Sequence, residues 1–336
     1  MKNLLLCIIT ICLFCLNAAG QDVHFSQFDF SPLHQSAAQT GNFKGDYRLT
    51  AINRVQYKSV TVPYKSLGAS VDMNIAKTDE KKSWWSAGLL FENDVTGDAD
   101  YKTTIVDVSV AWNSFLDENK KHQLTLAIQP GWMQNGLNFS ELYFGSQYDG
   151  DIFNPNLPTG ENPERSSYSN FNLNAGAAYK YVFSENSDLN IVFGASHLNQ
   201  PDISFLNDKA KLFTRLTGIG ALNLFLSEKI SLQPQVLFYR QGKFSQLNGG
   251  ANVQLHSLEN NLKNFRFSAG LFYRNKDAII ARIGAGIGNL DAGFAYDFNT
   301  SDLKKASNGR GAYEVALSYI ITKVKPLKKN PPCPIY

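Results

Sequence analysis

The sequence predicts an all-β protein, a transmembrane antiparallel up-and-down β-barrel of about 14 strands. Three observations predict it. Apolar and polar residues alternate with period two along most of the chain from Tyr47 onward, the signature of strands with one greasy and one polar face. Beyond the N-terminal region no stretch approaches the ~18 continuous apolar residues of a membrane helix. Short and long connections take turns along the chain, as the two rims of an outer-membrane barrel require.

The N-terminus reads as an export signal. Met1-Lys2, an apolar core from Leu4 to Leu16 and the small residues Ala18 and Gly20 place a cleavage before Gln21. A lipoprotein signal fits less well, because Phe14 precedes Cys15 where a small residue is required. Cleavage removes three of the four cysteines and leaves Cys333, so an internal disulfide is not expected. The expected organisation is residues 1–20 as signal peptide, 21–46 as a periplasmic or plug-like segment, 47–323 as barrel and 324–336 as a periplasmic Lys/Pro-rich tail. A formal net charge of +3 implies no nucleic-acid partner.

Strands are expected near 47–57, 66–77, 83–95, 102–115, 122–135, 169–183, 188–199, 212–226, 229–240, 244–257, 263–274, 277–287, 290–299 and 311–323. The run Asn264–Asn299 shows the pattern best. Phe267, Leu271 and Tyr273 oppose Arg266, Ser268 and Arg274; Ile279, Ile283 and Ile287 oppose Arg282, Gly284 and Gly286; Phe294 and Phe298 oppose Asp291 and Asp297. Its turns, Asn275–Lys276 and Gly288–Asn289, are short enough only for antiparallel hairpins. An even strand number puts both termini at the short-turn rim, expected to be periplasmic, and the long loops outside. Trp84, Trp85, Tyr101, Trp112, Phe115, Phe298 and Tyr313 lie near strand ends, where interfacial girdles are expected. A soluble exported β-sandwich also alternates, but a domain of ~100 residues rarely sustains strands this long.

Ordered short motifs run the length of the mature chain. They include Asp22-Val23-His24-Phe25-Ser26-Gln27-Phe28, Pro32-Leu33, Gly41-Asn42-Phe43, Tyr47-Arg48, Arg54-Val55-Gln56-Tyr57, Ser70-Val71-Asp72, Ser196-His197-Leu198-Asn199-Gln200-Pro201, Tyr273-Arg274, Asp277, Tyr296-Asp297, Ser307-Asn308-Gly309-Arg310-Gly311, Glu314 and Cys333-Pro334. In these the chain resembles the PorP/SprF family of outer-membrane proteins, associated with type IX secretion and gliding motility in Gram-negative bacteria. It departs from the family at Ser36-Ala37-Ala38, where Asn-Pro-Ala is usual, and at Ile335-Tyr336, where the tail usually reads Arg-Phe. The resemblance implies a non-enzymatic outer-membrane protein of the SprF-like branch. Its expected partners are the C-terminal domain of a large type IX-secreted adhesin, periplasmic ring components of that machine, and outer-membrane lipid.

Catalytic chemistry is not indicated. His24, His34, His122, His197 and His256 include no His-x-x-x-His spacing, so neither a metal nor a cofactor is expected. Ser196 and His197 are adjacent, and consecutive strand residues face opposite ways, so they read as no dyad and His197 as a loop anchor. With the greasy face on lipid, Arg266, Arg274, Arg282, Asp291, Asp297 and Glu314 fall in the lumen. They either brace the wall or grip an inserted polypeptide, which is the chain's own 21–45 segment or part of a secreted partner. Glycines at 270, 284, 286 and 293 share that face and leave backbone bare for close approach. The long loop 136–168 presents Phe144, Tyr148 and Phe153 either as a partner interface or as a lid over the pore. The function expected is to bind, anchor or deliver an adhesin; the alternative is a passive porin-like channel.

Overall fold

The computed structural model describes residues 22–75, 77, 81–160, 165–205, 210–257 and 265–322. The predicted signal peptide and the tail 324–336 lie outside these. Fourteen strands form one closed antiparallel barrel: β1 (Tyr47–Gln56), β2 (Tyr64–Ile75), β3 (Ser83–Thr96), β4 (Tyr101–Phe115), β5 (His122–Gly136), β6 (Ser167–Ser184), β7 (Ser187–Ser196), β8 (Arg215–Phe225), β9 (Ile230–Gln241), β10 (Phe244–His256), β11 (Phe265–Arg274), β12 (Ala278–Ile287), β13 (Leu290–Asn299) and β14 (Arg310–Ile321). Each strand pairs with its sequence neighbours. Closure is made by β14 on β1, with Tyr47 opposite Ile321 and Gln56 opposite Ala312. Both ends of the barrel therefore lie at one rim, together with the two-residue turn Gly288–Asn289, where Gly288 supplies the positive φ of 58°. The opposite rim carries the long loop 137–166.

Side-chain alternation sets the two surfaces. Every strand presents a large exposed apolar residue outward, among them Leu49, Val71, Phe91, Val108, Ile128, Phe171, Phe193, Leu216, Phe238, Val253, Leu271, Ile283, Phe294 and Val315. The inner face is polar and charged, with Arg48, Arg54, Asp72, Glu92, Asp107, Arg274, Arg282, Asp297 and Glu314 all buried. A water-soluble barrel would be the reverse, so the continuous apolar exterior is a lipid surface. Among the described residues no helix is long and apolar enough to cross a membrane.

Two expectations about side-chain direction are corrected. Trp84, Tyr101 and Phe115 do not belong to an outer girdle. Trp84 is buried in the lumen, where its Nε1 donates to Asn74 Oδ1 at 2.8 Å and its ring meets Phe115 at 5.1 Å. Tyr101 likewise turns inward, accepting a hydrogen bond from Asn135 Nδ2 at 2.8 Å. An indole or phenol buried inside needs a polar partner, and a polar lumen supplies one as readily as an interface does. Trp85, Phe298 and Tyr313 do face out. The second correction concerns Ser196 and His197, which both turn inward. β7 ends at Ser196 and His197 has φ 57°, so strand parity fails at that step.

Placing Ile283, on the outer face of β12, under a charge tests the assignment of surfaces. Ile283→Arg should cost ~2–4 kcal/mol if it lies near the bilayer midplane, read from denaturant titration of the protein folded in vesicles. A cost below about 0.5 kcal/mol would contradict it.

Candidate functional site

The lumen is occupied by the chain's own residues 22–46. The segment begins beside the long-loop rim, where Asp22 meets the ends of β7, β8 and β9. It descends through the barrel to join β1 at the other rim, where Lys44 Nζ reaches the Glu185 carbonyl. Its only regular structure is a 3-10 turn (Phe28–Phe30), a four-residue helix (Pro32–Gln35) and a second 3-10 turn (Ala37–Gln39). Pro32 opens the helix with a pre-set φ, and Ser36, in extended conformation, ends it and caps the next turn by accepting from Ala38 N at 3.2 Å. Phe25, Phe28, Leu33, Ala37 and Ala38 are buried against the inner wall, with Phe28 edge-on to Phe272 at 6.2 Å. The fit needs bare backbone at several wall positions: a Cβ at Gly176 would collide with Ser36 Oγ, one at Gly194 with the Gln35 carbonyl, one at Gly293 with Gln27 Oε1 and one at Gly88 with the Leu33 side chain.

Polar contacts hold the segment at several points, and three of these are clusters around a carboxylate. The innermost brings Arg54 (β1), Arg274 (β11), Asp297 (β13) and Glu314 (β14) onto one serine. Arg54 pairs with Glu314 at 2.6 Å and with Asp297 at 2.9 Å, and Arg274 pairs with Asp297 at 2.6 Å. Ser26 Oγ donates to Asp297 Oδ1 at 2.7 Å and accepts from Arg54 Nη1 at 2.8 Å and Arg274 Nη1 at 3.0 Å. That exhausts a hydroxyl's one donor and two acceptor sites. The backbone N–H groups of Ser26 and Gln27 donate to the two oxygens of Glu314 at 2.6 and 2.8 Å. Asp297 sits where the β13–β14 register shifts, between the pairs Tyr296–Tyr313 and Phe298–Arg310. An irregularity of this kind re-aims a side chain. Arg54, Arg274, Asp297 and Glu314 are each at most 1% exposed, so they persist as charges only because each is compensated.

The second hold is near the terminal rim. Arg48 grips Asp72 with Nε at 3.0 Å and Nη2 at 2.8 Å, and the same Nη2 donates to the Gln39 carbonyl at 2.8 Å. Gly41 N donates to Asp72 Oδ2 at 2.8 Å, and Phe43 lies 4.7 Å under the Arg48 guanidinium. The third is at Asp22, whose carboxylate meets His197 Nε2 at 2.8 Å, Arg215 Nη1 at 3.3 Å and Gln241 Nε2 at 3.0 Å. Burial alone would raise the Asp22 carboxyl; the adjacent His197 and Arg215 outweigh it and hold the group well below the usual aspartate range. His34 Nδ1 contacts Glu92 at 2.5 Å, while the His34 carbonyl accepts from Arg215 Nη2 at 2.7 Å.

The lumenal residues expected from sequence thus divide. Arg274, Asp297 and Glu314 converge on Ser26. Arg282 pairs with Asp29 of the same segment and stacks over Phe272 at 4.6 Å. Arg266 and Asp291 pair with each other at 2.7 Å near the Gly288–Asn289 turn and do not touch the segment. Of the expected glycines only Gly293 meets the segment; Gly270, Gly284 and Gly286 accommodate wall side chains. In the long loop, Tyr148 and Phe153 are exposed and bridge strand-like to one another, whereas Phe144 is half-buried. Tyr143, not singled out from sequence, is the most exposed aromatic there and meets Phe153 edge-on at 5.0 Å. The loop is not structureless: it holds 3-10 turns at Phe139–Glu141 and Gly145–Gln147.

Arg48, Arg54, Asp72, Ser26, Asp22 and Arg215 were not named as site residues. The first five do stand in the short motifs on which the family resemblance rests, a signal that pairing across the sequence would have made usable. His197 anchors its loop as expected, through Asn174 Oδ1 at 3.0 Å and Asn172 Oδ1 at 2.8 Å as well as Asp22. Its two ring nitrogens are taken by Asn172 and Asp22, not by Ser196. Among the described residues no group of three or more His, Cys, Asp or Glu is arranged to hold a metal.

The fold and its lipid-facing exterior define an outer-membrane β-barrel. Solved structures similar to it include the Ralstonia pickettii toluene transporter TbuX, at 9% identity and TM-score 0.50 over 86% of this chain and 93% of that one. The CymD monoaromatic hydrocarbon channel matches at 10% and 0.50 over 90% and 96%, and the Pseudomonas putida toluene transporter TodX at 10% and 0.50 over 86% and 92%. At such identity the likeness is one of fold. The chain belongs to the family described as type IX secretion system membrane protein PorP/SprF, whose model matches residues 17–319. Comparison with curated proteins gives no match.

Two outcomes follow from the holds. Asp297→Ala leaves two buried guanidinium groups short of a partner and should destabilise the protein by ~3–5 kcal/mol, with new protease cleavage within residues 22–46; wild-type stability and protection would refute the clasp. Because the Asp22 carboxyl is depressed, its contribution is complete above about pH 4 and is lost as pH falls further. Conductance across planar bilayers should therefore stay constant from pH 7 to about 4 and rise below it, the rise starting at higher pH in Arg215→Gln. An onset unmoved by that substitution would remove Asp22 from the account.

Proposed function

We propose that this barrel binds and holds a large type IX-secreted adhesin at the cell surface, as an SprF-like member of its family. In this reading the terminal rim is periplasmic, where it can meet ring components of the secretion machine, and the long-loop rim is extracellular. The observation that carries it is the occupied lumen. A barrel whose own residues 22–46 are clasped inside it by buried charges is poorly suited to be a passive pore, which leaves its exposed surfaces as the working parts.

The loop 137–166 is the surface best suited to a partner. Tyr143, Tyr148, Ile152 and Phe153 are all exposed, yet the loop beneath them is ordered by its own contacts. Buried Gln147 donates to the Pro155 and Leu157 carbonyls at 3.1 and 3.3 Å. The N–H groups of Ile152 and Asp151 donate to Asp149 at 2.9 and 3.0 Å and lower its carboxyl. Rigid, exposed aromatic residues lose little entropy on binding and are favoured at protein interfaces.

The test is co-purification from native outer membranes. The wild-type barrel should bring down the C-terminal domain of a large secreted protein, and Tyr148→Ala/Phe153→Ala should lower the yield at least tenfold, since the loss of one hot-spot side chain alone costs about 2 kcal/mol. Undiminished recovery with the loop deleted would end the outside-contact reading. Passage of small molecules is the second reading, favoured by a cavity of ≈ 590 Å³ on the long-loop side of the segment. Steady conductance of the intact protein would support it.

A further inference from the structure

That cavity has an unbalanced charge. Glu92 and Asp94 face it from β3, and Asp107 from β4. The two arginines of its lining are committed elsewhere, Arg54 to Asp297 and Glu314, Arg215 to Asp22. Among the described residues no Lys or Arg forms an ion pair with any of the three acids. Asp107 is satisfied by the side-chain amides of Asn172 and Asn174 at 2.8–3.2 Å. Glu92 has the His34 ring on one oxygen, and Asp94 has a single hydroxyl, Ser66 Oγ at 2.5 Å. Glu92 and Asp94 therefore keep unused acceptor capacity in the cavity wall.

Two further observations point to a ligand. Gln129 and Asn135 line the same cavity, each only 2% exposed, and Gln129 Nε2 and Asn135 Oδ1 have no hydrogen-bond partner among the described residues. An unsatisfied buried polar atom costs ~1–3 kcal/mol, a cost that an occupant with polar groups of its own removes. The rings of Tyr57 and Tyr64 also line it, 5.8 Å apart and at 82° to one another. Aromatic faces beside unpaired carboxylates form the environment that attracts an organic cation, and a planar guanidinium matches a carboxylate with paired hydrogen bonds. The volume of ≈ 590 Å³ lies within the range of about 300–1,000 Å³ usual for small-ligand pockets. It suits a short peptide stretch and not a folded domain.

We propose that this cavity is a binding site for an arginine-bearing stretch of polypeptide entering from the long-loop rim, with Glu92 and Asp94 taking the guanidinium and Gln129 and Asn135 the peptide groups. The proposal rests on the reading of the barrel as a polypeptide-binding protein, but on residues distinct from the loop aromatics.

The experiment is calorimetric titration of the purified full-length protein in detergent at low salt. The probes are acetyl-tri-arginine amide, its neutral near-isostere acetyl-tri-citrulline amide, and free arginine amide. Tri-arginine should bind and tri-citrulline should not. Glu92→Gln/Asp94→Asn should weaken binding by about tenfold or more, whereas Glu141→Gln/Asp151→Asn, charges on the exposed loop, should leave it unchanged. Folding of each variant is checked by heat-modifiable electrophoretic mobility, and Gln129→Leu, which keeps every charge, should also weaken binding. Equal affinity in wild type and Glu92→Gln/Asp94→Asn, or equal binding of tri-citrulline, overturns the site. Equal affinity for arginine amide and tri-arginine overturns the polypeptide assignment in favour of a small free cation. Tri-arginine binding without adhesin recovery counts against the adhesin reading alone; adhesin recovery without tri-arginine binding counts against this one alone.

Discussion

Four buried charges meeting at one serine constrain the whole molecule. Arg54, Arg274, Asp297 and Glu314 come from four strands distributed through the chain, and Ser26 from a segment outside the sheet. Charges this deeply buried are tolerable only when every partner is in place. Lifting residues 22–46 out would strip Glu314 of two backbone N–H donors and Asp297 of a hydroxyl, while both arginines would lose an acceptor. Wall and segment therefore specify each other: the wall is built for an occupied lumen, and the segment, too short and too irregular to fold alone, has structure only within the wall.

This dependence decides how much of the structure was legible in the sequence. Strand number, order and the lipid-facing side follow from local period-two patterning, so they could be read directly. Arg274, Asp297 and Glu314 were recognisable as lumenal from parity alone. Their partner was not, because residues 22–46 have no periodicity and their short turns are stabilised by contacts far away in sequence. Arg54 and Ser26 meet groups on β13 and β14, more than 200 positions distant, and no local rule indicates that pairing. Parity also failed where the backbone departs from a strand. The positive φ of His197 brought two consecutive side chains inside. Trp84 by contrast obeys parity, alternating with outward Trp85 on β3; nearness to a strand end does not by itself put an aromatic ring on the outer face, and Asn74 satisfies its indole N–H inside.

The clasp also shapes the functional reading. Since the inner wall is spent on the chain's own segment, recognition is left to the rims. At one rim an ordered loop displays aromatic residues; just below it, Glu92 and Asp94 face a cavity whose arginines are already engaged. In the proposed reading these are complementary means of holding a polypeptide, one by apolar contact and one by charge, and they lie at the same end of the barrel. The terminal rim is different in character: Arg266 and Asp291 are paired with each other there, and the cavity beside them, ≈ 290 Å³, is lined largely by polar groups.

The central claim is that residues 22–46 are a permanently seated part of the barrel. Amide hydrogen exchange of the intact protein in detergent, followed by mass spectrometry of peptides spanning 22–46, tests it most directly. The account predicts slow exchange at Ser26 and Gln27, whose N–H groups are bound to buried Glu314, comparable to the central residues of β1 and β14. Exchange of those amides within seconds, with the strands still protected, would contradict it.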